Sequence, residues 1–412
     1  MVYVAVLGHG VVGSGVVEIL RNNAAHIAHK AGEEVAVKRI LDLRTFPELP
    51  YADLFTANFD DIVNDADIRI VVEAMGGLHP AYDFVKASLL AGKSVVTSNK
   101  ELVAAKGDEL LAIARQRNLN FLFEASVGGG IPILRPLDQC LAANNVEEIA
   151  GILNGTTNFM LTKMFAEDME FGEALALAQE LGYAERNPAA DVEGMDACRK
   201  ICILASLAFG KHVLPEEVYT EGITEITQED VRYAACAGGV IKLIGRAVRA
   251  EDDRLYCSVS PMILPKDNLL SDVNDVFNAV MVKGDSVGDV VFVGRGAGKL
   301  PTASAVVADV IDEVKHLEAR KFLFWEPHEA GRVISHRQAP VVKLVRVTSA
   351  DTAAAQAAIT AAFGEVQFVI SFGAPENELA FITPEMTEEA LEEALAAIDG
   401  ITVVKALRIY IG

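Results

Sequence analysis

The chain is poor in cysteine, in positive charge and in long hydrophobic runs, and each shortage removes a class of function. Five cysteines in 412 residues, Cys140, Cys198, Cys202, Cys236 and Cys257, are odd in number and lack paired CxxC spacing. That pattern predicts reduced, mostly core thiols in a cytoplasmic protein and gives no support to a zinc cage. Lysine and arginine total 36 against 58 acidic residues, a net charge of -22 with no basic run to offset it, so nucleic acid is a poor partner. No segment reaches the roughly 18 to 20 unbroken apolar residues of a membrane span. The opening residues MVYVAVLGHG lack the basic flank and small-residue cleavage site of a signal peptide, and are expected to form a buried first strand. No repeat or low-complexity tract stands out.

What is present is enough apolar sequence, 51%, for two or three domains over this length. The first third alternates apolar runs (VYVAVLG, EVAVKRILDL, IRIVVEAM, KSVVTSN, LNFLFEAS) with helical patterns such as VVEILRNNAAHIAHKAG and AKGDELLAIARQRN. Strands apolar on both faces predict a doubly wound α/β domain with a parallel sheet, placed at 1–131. From 132 to 320 the texture is mixed α+β, with a helix after Pro132, a long helical region NFMLTKMFAEDMEFGEALALAQELG, a charged stretch, and strand-like runs LIGRAVRA, LYCSVSPMIL and VVFVGRG. A helix near 301–320 is expected to return to the first domain. Residues 340–412 read strand, helix, strand, strand, helix, strand, the ferredoxin-like order, and are expected to close the chain as a compact unit of their own.

Gly8, Gly10 and Gly13 form GxGxxG directly after a strand and opening a helix. The first permits the turn, the second admits a pyrophosphate close to the backbone, and the third lets helix and strand pack. The helix start, including Val11 and Val12, offers unpaired amides to that anion. Asp42 suits a ribose 2'-hydroxyl while Arg44 and Arg39 suit an added phosphate, so NAD and NADP both remain open with NADP favoured; Lys106 is a further phosphate candidate. His9, His26, His29, His79 and His212 make neither a metal spacing nor a triad.

The stretch GYAERNPAADVEGMDACRK concentrates carboxylates and cations between apolar helices. Asp196 and Lys200 stand four apart on one helix face, where the helix runs on into the apolar ICILASLAF. Carboxylates near a cleft bind an ammonium group, and a partly buried lysine donates a proton or polarises a carbonyl.

GHGVVGSGV, VVTSNKELVA, FEASVGGGIPI, NGTTNFML, GYAERNPAADVEGMDACRK and GRGAGKLPTASAVVAD, in this order over roughly residues 1 to 320, resemble homoserine dehydrogenase, and the C-terminal βαββαβ segment resembles an ACT domain. The resemblance implies reversible NAD(P)H-dependent reduction of aspartate 4-semialdehyde to homoserine, in threonine and methionine biosynthesis. It makes Lys200 the first choice of proton donor and Lys100 a second lysine at the nicotinamide end of the sheet, the division of roles staying open. It assigns Glu185, Asp191, Asp196 and the Asn154, Gly155, Thr156, Thr157 turn to the substrate. Thr97, Ser98, Lys100 and Gly298 join the cofactor residues. Glu124, with the carbonyls of Val127, Gly129 and Ile131, resembles a monovalent cation loop of sodium type. Asn187 departs from the aspartate of the family pattern. The ACT-like end supports a threonine effector, with a role in assembly alone as the other reading; the second domain's sheet is expected to offer the surface of a homodimer or homotetramer, and no aspartate kinase segment is expected ahead of the glycine motif. Two other readings stay open: a reductase of another amino-acid semialdehyde, and a regulatory protein with a relic site.

Overall fold

Six apolar segments pair in parallel to form the sheet of the first of two contact units. In spatial order they are Phe55–Thr56, Val35–Leu41, Val2–Leu7, Ile68–Glu73, Ser94–Thr97 and Phe121–Leu122. The chain starts in the middle of this sheet and fills one side before the other. The reversal therefore falls between Val2–Leu7 and Ile68–Glu73, where a doubly wound sheet opens its ligand crevice. The computed structural model describes all 412 residues except Arg320, Phe322, Phe372 and Gly412. The first unit comprises residues 1–147, 202–215 and 283–330.

Strands here are buried on both faces, as in Ser94–Thr97, which is buried throughout. Helices supply the cover. Val16, Val17 and Leu20 of helix Val11–Asn22 share one core with Val4 and Val6 of the first strand and with Ala303, Val306 and Val310 of helix Lys299–Lys315. The two helices approach closely because Gly15 has no side chain: a Cβ there would stand 3.0 Å from that of Ala303.

Several elements differ from the sequence expectation for local reasons. The helical pattern after Gly10 breaks at Asn23 into Val11–Asn22 and Ala24–Ala31. The helix expected from Ala105 instead starts at Lys100, because the Asn99 side chain accepts from Leu102 N at 3.1 Å and caps it. Only Phe121–Leu122 of LNFLFEAS pairs as strand before a 3-10 turn at Glu124–Ser126. The stretch after Pro132 gives one irregular turn, Pro136–Cys140. The long helical region divides into Gly155–Ala166 and Phe171–Glu180, with Asp168 at φ 52° in the joint.

The second unit comprises 148–201, 216–282 and 331–412. Gly239–Arg249 and Leu255–Pro265 pair antiparallel along their whole length, and Val146–Ile152 pairs antiparallel with Gly239–Arg249. The C-terminal strands lie in the order Thr402–Ile409, Pro340–Thr348, Glu378–Ile382, Gln367–Phe368, each antiparallel to its neighbour. Helices Thr352–Phe363 and Glu388–Ala396 complete a βαββαβ module with its own core of Val345, Ile359, Phe381 and Leu391. This module does not stand apart. Its last strand adds in parallel to Leu255–Pro265 at Met262 and Ile263, and Arg346 is buried between Asp230 and Glu378 at 2.6 and 2.8 Å. One sheet thus runs through module and substrate region, so they form one contact unit rather than two.

Candidate functional site

In the first unit the strand Val2–Leu7 ends at Gly8, whose φ of 91° turns the chain into the helix start. A Cβ on Gly13 would lie 1.9 Å from Gly8 O, so only glycine lets the helix return this tightly. Gly10, by contrast, has no atom within 4 Å of where its Cβ would be. The turn is closed on one side and open on the other. Val11, 68% exposed, begins the helix with Gly10 as N-cap and no side chain bonded to the cap position. Open amides at a helix start beside a side-chain-free glycine fit a pyrophosphate, and these residues accordingly fit a dinucleotide. Gly298, at φ 125°, caps helix Lys299–Lys315 in a conformation that favours glycine.

Asp42 follows the strand Val35–Leu41 and accepts from His9 N at 2.8 Å. Arg44 grips it through Nε and Nη2, both at 2.9 Å. The guanidinium holds the Asp42 carboxyl well below the usual carboxylate range. The Arg44 side chain remains 62% exposed at the mouth of a cavity of about 370 Å³ lined by Asp42, Leu43, Phe46 and Phe55. Lys106 is directed elsewhere: its ammonium lies 5.7 Å from the Tyr82 ring centre, well along the helix that Lys100 begins.

At the carboxyl ends of two neighbouring strands, Ile68–Glu73 and Ser94–Thr97, lies a network centred on Glu73. Glu73, wholly buried, accepts from Thr97 Oγ1, from Met75 N at 2.7 Å and from Gly76 N at 3.2 Å. Asn99 N donates to Thr97 Oγ1 at 2.9 Å and its amide donates to Gly77 O at 2.7 Å. Burial pushes the Glu73 carboxyl up. These bonds fix the path of Thr97 and Ser98 and set half-buried Lys100 at the first position of its helix. The sequence signal for it is a carboxylate at the end of the strand IRIVVE, directly before AMGG.

The loop expected to hold a cation is built differently around its acid. Glu124 is 4% exposed, and its carboxylate accepts from Ile133 N, Leu134 N and Arg135 N at 2.6, 2.8 and 2.8 Å. The side chain thereby serves as an anchor for the backbone amides of 133–135. Val127, Gly129 and Ile131 are buried, and a Cβ on Gly129 would meet Gly296 O at 2.3 Å. Among the described residues no group of three or more His, Cys, Asp or Glu side chains could hold a metal ion.

The second unit gathers the charged stretch around one asparagine. Asn154 caps helix Gly155–Ala166, its Oδ1 accepting from Thr157 N at 2.9 Å and from Thr157 Oγ1 at 3.0 Å. Its Nδ2 donates to Asp191 Oδ1 at 2.7 Å and Asp196 Oδ2 at 2.8 Å. Lys200 Nζ donates to the same Asp196 oxygen at 2.7 Å and to Leu153 O at 2.7 Å. Asp196 and Lys200 are 4% and 7% exposed, so the charges meet in a place from which water is largely excluded. The i, i+4 spacing on helix Met195–Phe209 makes the pair, as the sequence suggests. Thr156 Oγ1 donates to Tyr183 O at 2.6 Å and so ties the NGTT turn to the charged stretch. Glu185 lies exposed on that stretch, as does Asn187, whose Oδ1 accepts locally from Ala189 N at 3.4 Å. The asparagine's double hold on Asp191 and Asp196, and the Leu153 carbonyl, go beyond the sequence expectation, which assigns the NGTT turn to the substrate without these bonds.

Comparison with known proteins covers both the glycine turn and the Asn154 cluster. A family model described as homoserine dehydrogenase, NAD binding domain matches 8–124, and one described as homoserine dehydrogenase matches 132–311. The homoserine dehydrogenase of Synechocystis sp. is 47% identical over 318 residues, 76% of this chain and 73% of that one. A crystal structure of homoserine dehydrogenase from Thiobacillus denitrificans superposes with a TM-score of 0.87 at 36% identity, covering 99% of this chain and 98% of the other. A hyperthermophilic archaeal homoserine dehydrogenase in complex with NADPH gives a TM-score of 0.65 at 29% identity, covering 76% of this chain and 97% of that one. With a nicotinamide-dinucleotide domain and a substrate domain both matched, the chain belongs to the homoserine dehydrogenase family of NAD(P)-dependent oxidoreductases.

Proposed function

We propose that the Asn154, Asp191, Asp196, Lys200 cluster binds aspartate 4-semialdehyde and supplies the proton that turns its aldehyde into the alcohol of homoserine. The observation that carries this reading is the buried Lys200–Asp196 pair, fastened by the Asn154 amide. The substrate brings an ammonium, a carboxylate and an aldehyde. Asp191 and Asp196 match the ammonium in charge, and the Thr156 and Thr157 hydroxyls with Gly155 shape the wall beside them. Glu185 lies exposed on the adjoining stretch and can reach a ligand without first breaking a buried bond. When bound, the nicotinamide supplies a hydride to the aldehyde carbon. The Lys200 ammonium stabilises the negative charge developing on the aldehyde oxygen and gives it a proton, which solvent then restores; in the reverse direction the neutral amine takes that proton. Asp196 and Leu153 O hold Nζ in place for both directions.

The cofactor takes the Gly8, Gly10, Gly13 turn with the amides of Val11 and Val12, and Thr97, Ser98, Lys100 and Gly298 complete its residues. Asp42 already holds Arg44 and His9 N, while the Arg44 guanidinium is exposed, which favours NADP over NAD. The carbonyls of Val127, Gly129 and Ile131 are the donors for a monovalent cation, with Glu124 shaping the loop from behind. We further propose that the C-terminal module is an ACT-like regulatory domain answering to threonine in a homodimer or homotetramer of the cytoplasm; its support is the βαββαβ order and the sheet it shares with the substrate region. The test is nicotinamide absorbance with homoserine, using NAD and NADP separately and then with threonine titrated in. The account expects turnover, a lower KM for NADP, and a threonine-dependent loss of rate. Absence of turnover with both cofactors overturns the site assignment, and a flat threonine response overturns the regulatory one alone.

A further inference from the structure

A second buried lysine, which none of the six motifs contains, bonds the helix that the NGTT turn begins. Lys242, on strand Gly239–Arg249, is 2% exposed. Its Nζ donates to Val273 O at 2.7 Å, Asn274 Oδ1 at 3.0 Å and Asn158 Oδ1 at 3.1 Å. These three acceptors are neutral, an unusual setting for a buried ammonium, because burying a charge is costly unless every donor is used. Asp272, Asp275, Lys163 and Lys266 are the other charged groups lining the cavity of about 500 Å³ beside it.

The two groups converge on one segment. Asn158 Oδ1 accepts from Lys242, and the two N–H groups of the Asn158 amide are shared among Val273 O, Asp275 O and Phe277 O, each at 3.0 Å, so Val273 O accepts from both side chains. Lysine and asparagine together therefore clamp the segment 273–277. That segment presses on the start of helix Gly155–Ala166: a Cβ on Gly155 would stand 2.9 Å from Val276 O. The residue before Gly155 is Asn154, whose amide orients Asp191 and Asp196, and Asn158 lies one turn further on, its N bonded to Asn154 O at 3.3 Å. A shift of the clamped segment thus moves the cap that aims the substrate carboxylates.

We propose that Lys242 is a positioning residue for substrate binding, acting through Asn158 and the segment 273–277 on the Asn154 cap. The proposal rests on the reading that Asp191 and Asp196 receive the substrate ammonium. It concerns affinity for the amino-acid substrate and leaves the hydride donor and proton donor as they are. Supporting groups of this kind hold reactive ones to within fractions of an ångström, and loosening them costs about tenfold or more in the function they support.

The test uses Lys242→Met, which removes the donors, and Asn158→Asp, which keeps an acceptor for Lys242 but removes both donors to the 273–277 carbonyls. Steady-state kinetics with homoserine and with the cofactor are read alongside the melting temperature. The expected result for both variants is a homoserine KM raised about tenfold, with kcat within about threefold and cofactor KM unchanged. A homoserine KM within twofold of the parent in either variant overturns the proposal. So does a drop in kcat at unchanged KM, which reports only a smaller folded fraction, and so does failure of both variants to fold. Lys200→Met on the parent chain separates the two ideas: if it retains full activity, the site assignment has failed whatever Lys242 does.

Discussion

Gly10 and Gly13, three positions apart in the motif, are required for different reasons, and substituting each with alanine separates fold from ligand. At Gly13 the new methyl would sit 1.9 Å from Gly8 O, whereas contacts under 3.0 Å are essentially never seen, so helix and strand must part by at least 1.1 Å, the difference of the two. Overpacking of this kind costs about 1–3 kcal/mol, and each kcal/mol lowers the melting temperature of a unit this size by about 2–4 °C. A displacement of that order at the cofactor turn also costs about a hundredfold in kcat/KM. At Gly10 the methyl meets nothing within 4 Å and φ is -80°, open to any residue, so the free protein is indifferent to it. The methyl would instead project into the space where the turn admits a pyrophosphate. Gly13→Ala is therefore expected to lower both melting temperature and cofactor affinity, and Gly10→Ala to raise the cofactor KM with the melting temperature unchanged. Thermal denaturation and cofactor-titrated kinetics decide it. A Gly10→Ala enzyme with an unaltered cofactor KM would refute the placement of the pyrophosphate at this turn.

Arg44→Ala is expected to raise the NADP KM by tenfold or more while changing the NAD KM little, since it removes the exposed guanidinium and frees the Asp42 carboxylate; equal effects on both cofactors would count against the assignment. Asn154→Ala is expected to cost about 1 kcal/mol of stability through the lost cap, and to raise the homoserine KM as Asp191 and Asp196 lose their shared donor; chemical denaturation and kinetics read the two effects separately. Asp309 gives a pH test: burial raises its carboxyl to about 7 despite Arg135 at 2.6 Å. The folded state then holds this proton more tightly than the unfolded chain, so its contribution is fully present below about pH 4 and is lost as pH rises to about 7, at no more than about 1.4 kcal/mol per pH unit. Asp309→Asn should remove that downward component from the stability profile between those values, and an unchanged profile would show that the carboxyl is not protonated in this window.

Much of the site was legible because it is local. GxGxxG states its turn in six residues, and Asp196 with Lys200 needs only the helical period to be brought together. The parallel sheet was legible from strands apolar on both faces, and the C-terminal module from its alternation of elements. Long-range partners carry no such local mark. That Asn154 would hold Asp191 and Asp196, 37 and 42 residues away, depends on where helix Met195–Phe209 packs. Glu73 looked like the end of a strand, and its bond to Thr97 arises from the register between neighbouring strands. The C-terminal module shows the same limit: its edge strand Thr402–Ile409 reads as self-contained, and its pairing with Leu255–Pro265 involves residues more than 140 positions distant. Lys242 gave no signal because a lysine in an apolar strand resembles an edge residue until its acceptors, from Asn158 and 273–274, are known.

The most direct test of the account is the rate of homoserine oxidation by Lys200→Met beside Lys200→Arg, which keeps a charge for buried Asp196 but cannot release a proton near neutrality. The account predicts that kcat falls by at least about a hundredfold in both, within the range attributed to a positioned proton donor, while the folded protein still binds the cofactor with parental affinity. A folded Lys200 variant that oxidises homoserine within threefold of the parent rate would contradict it.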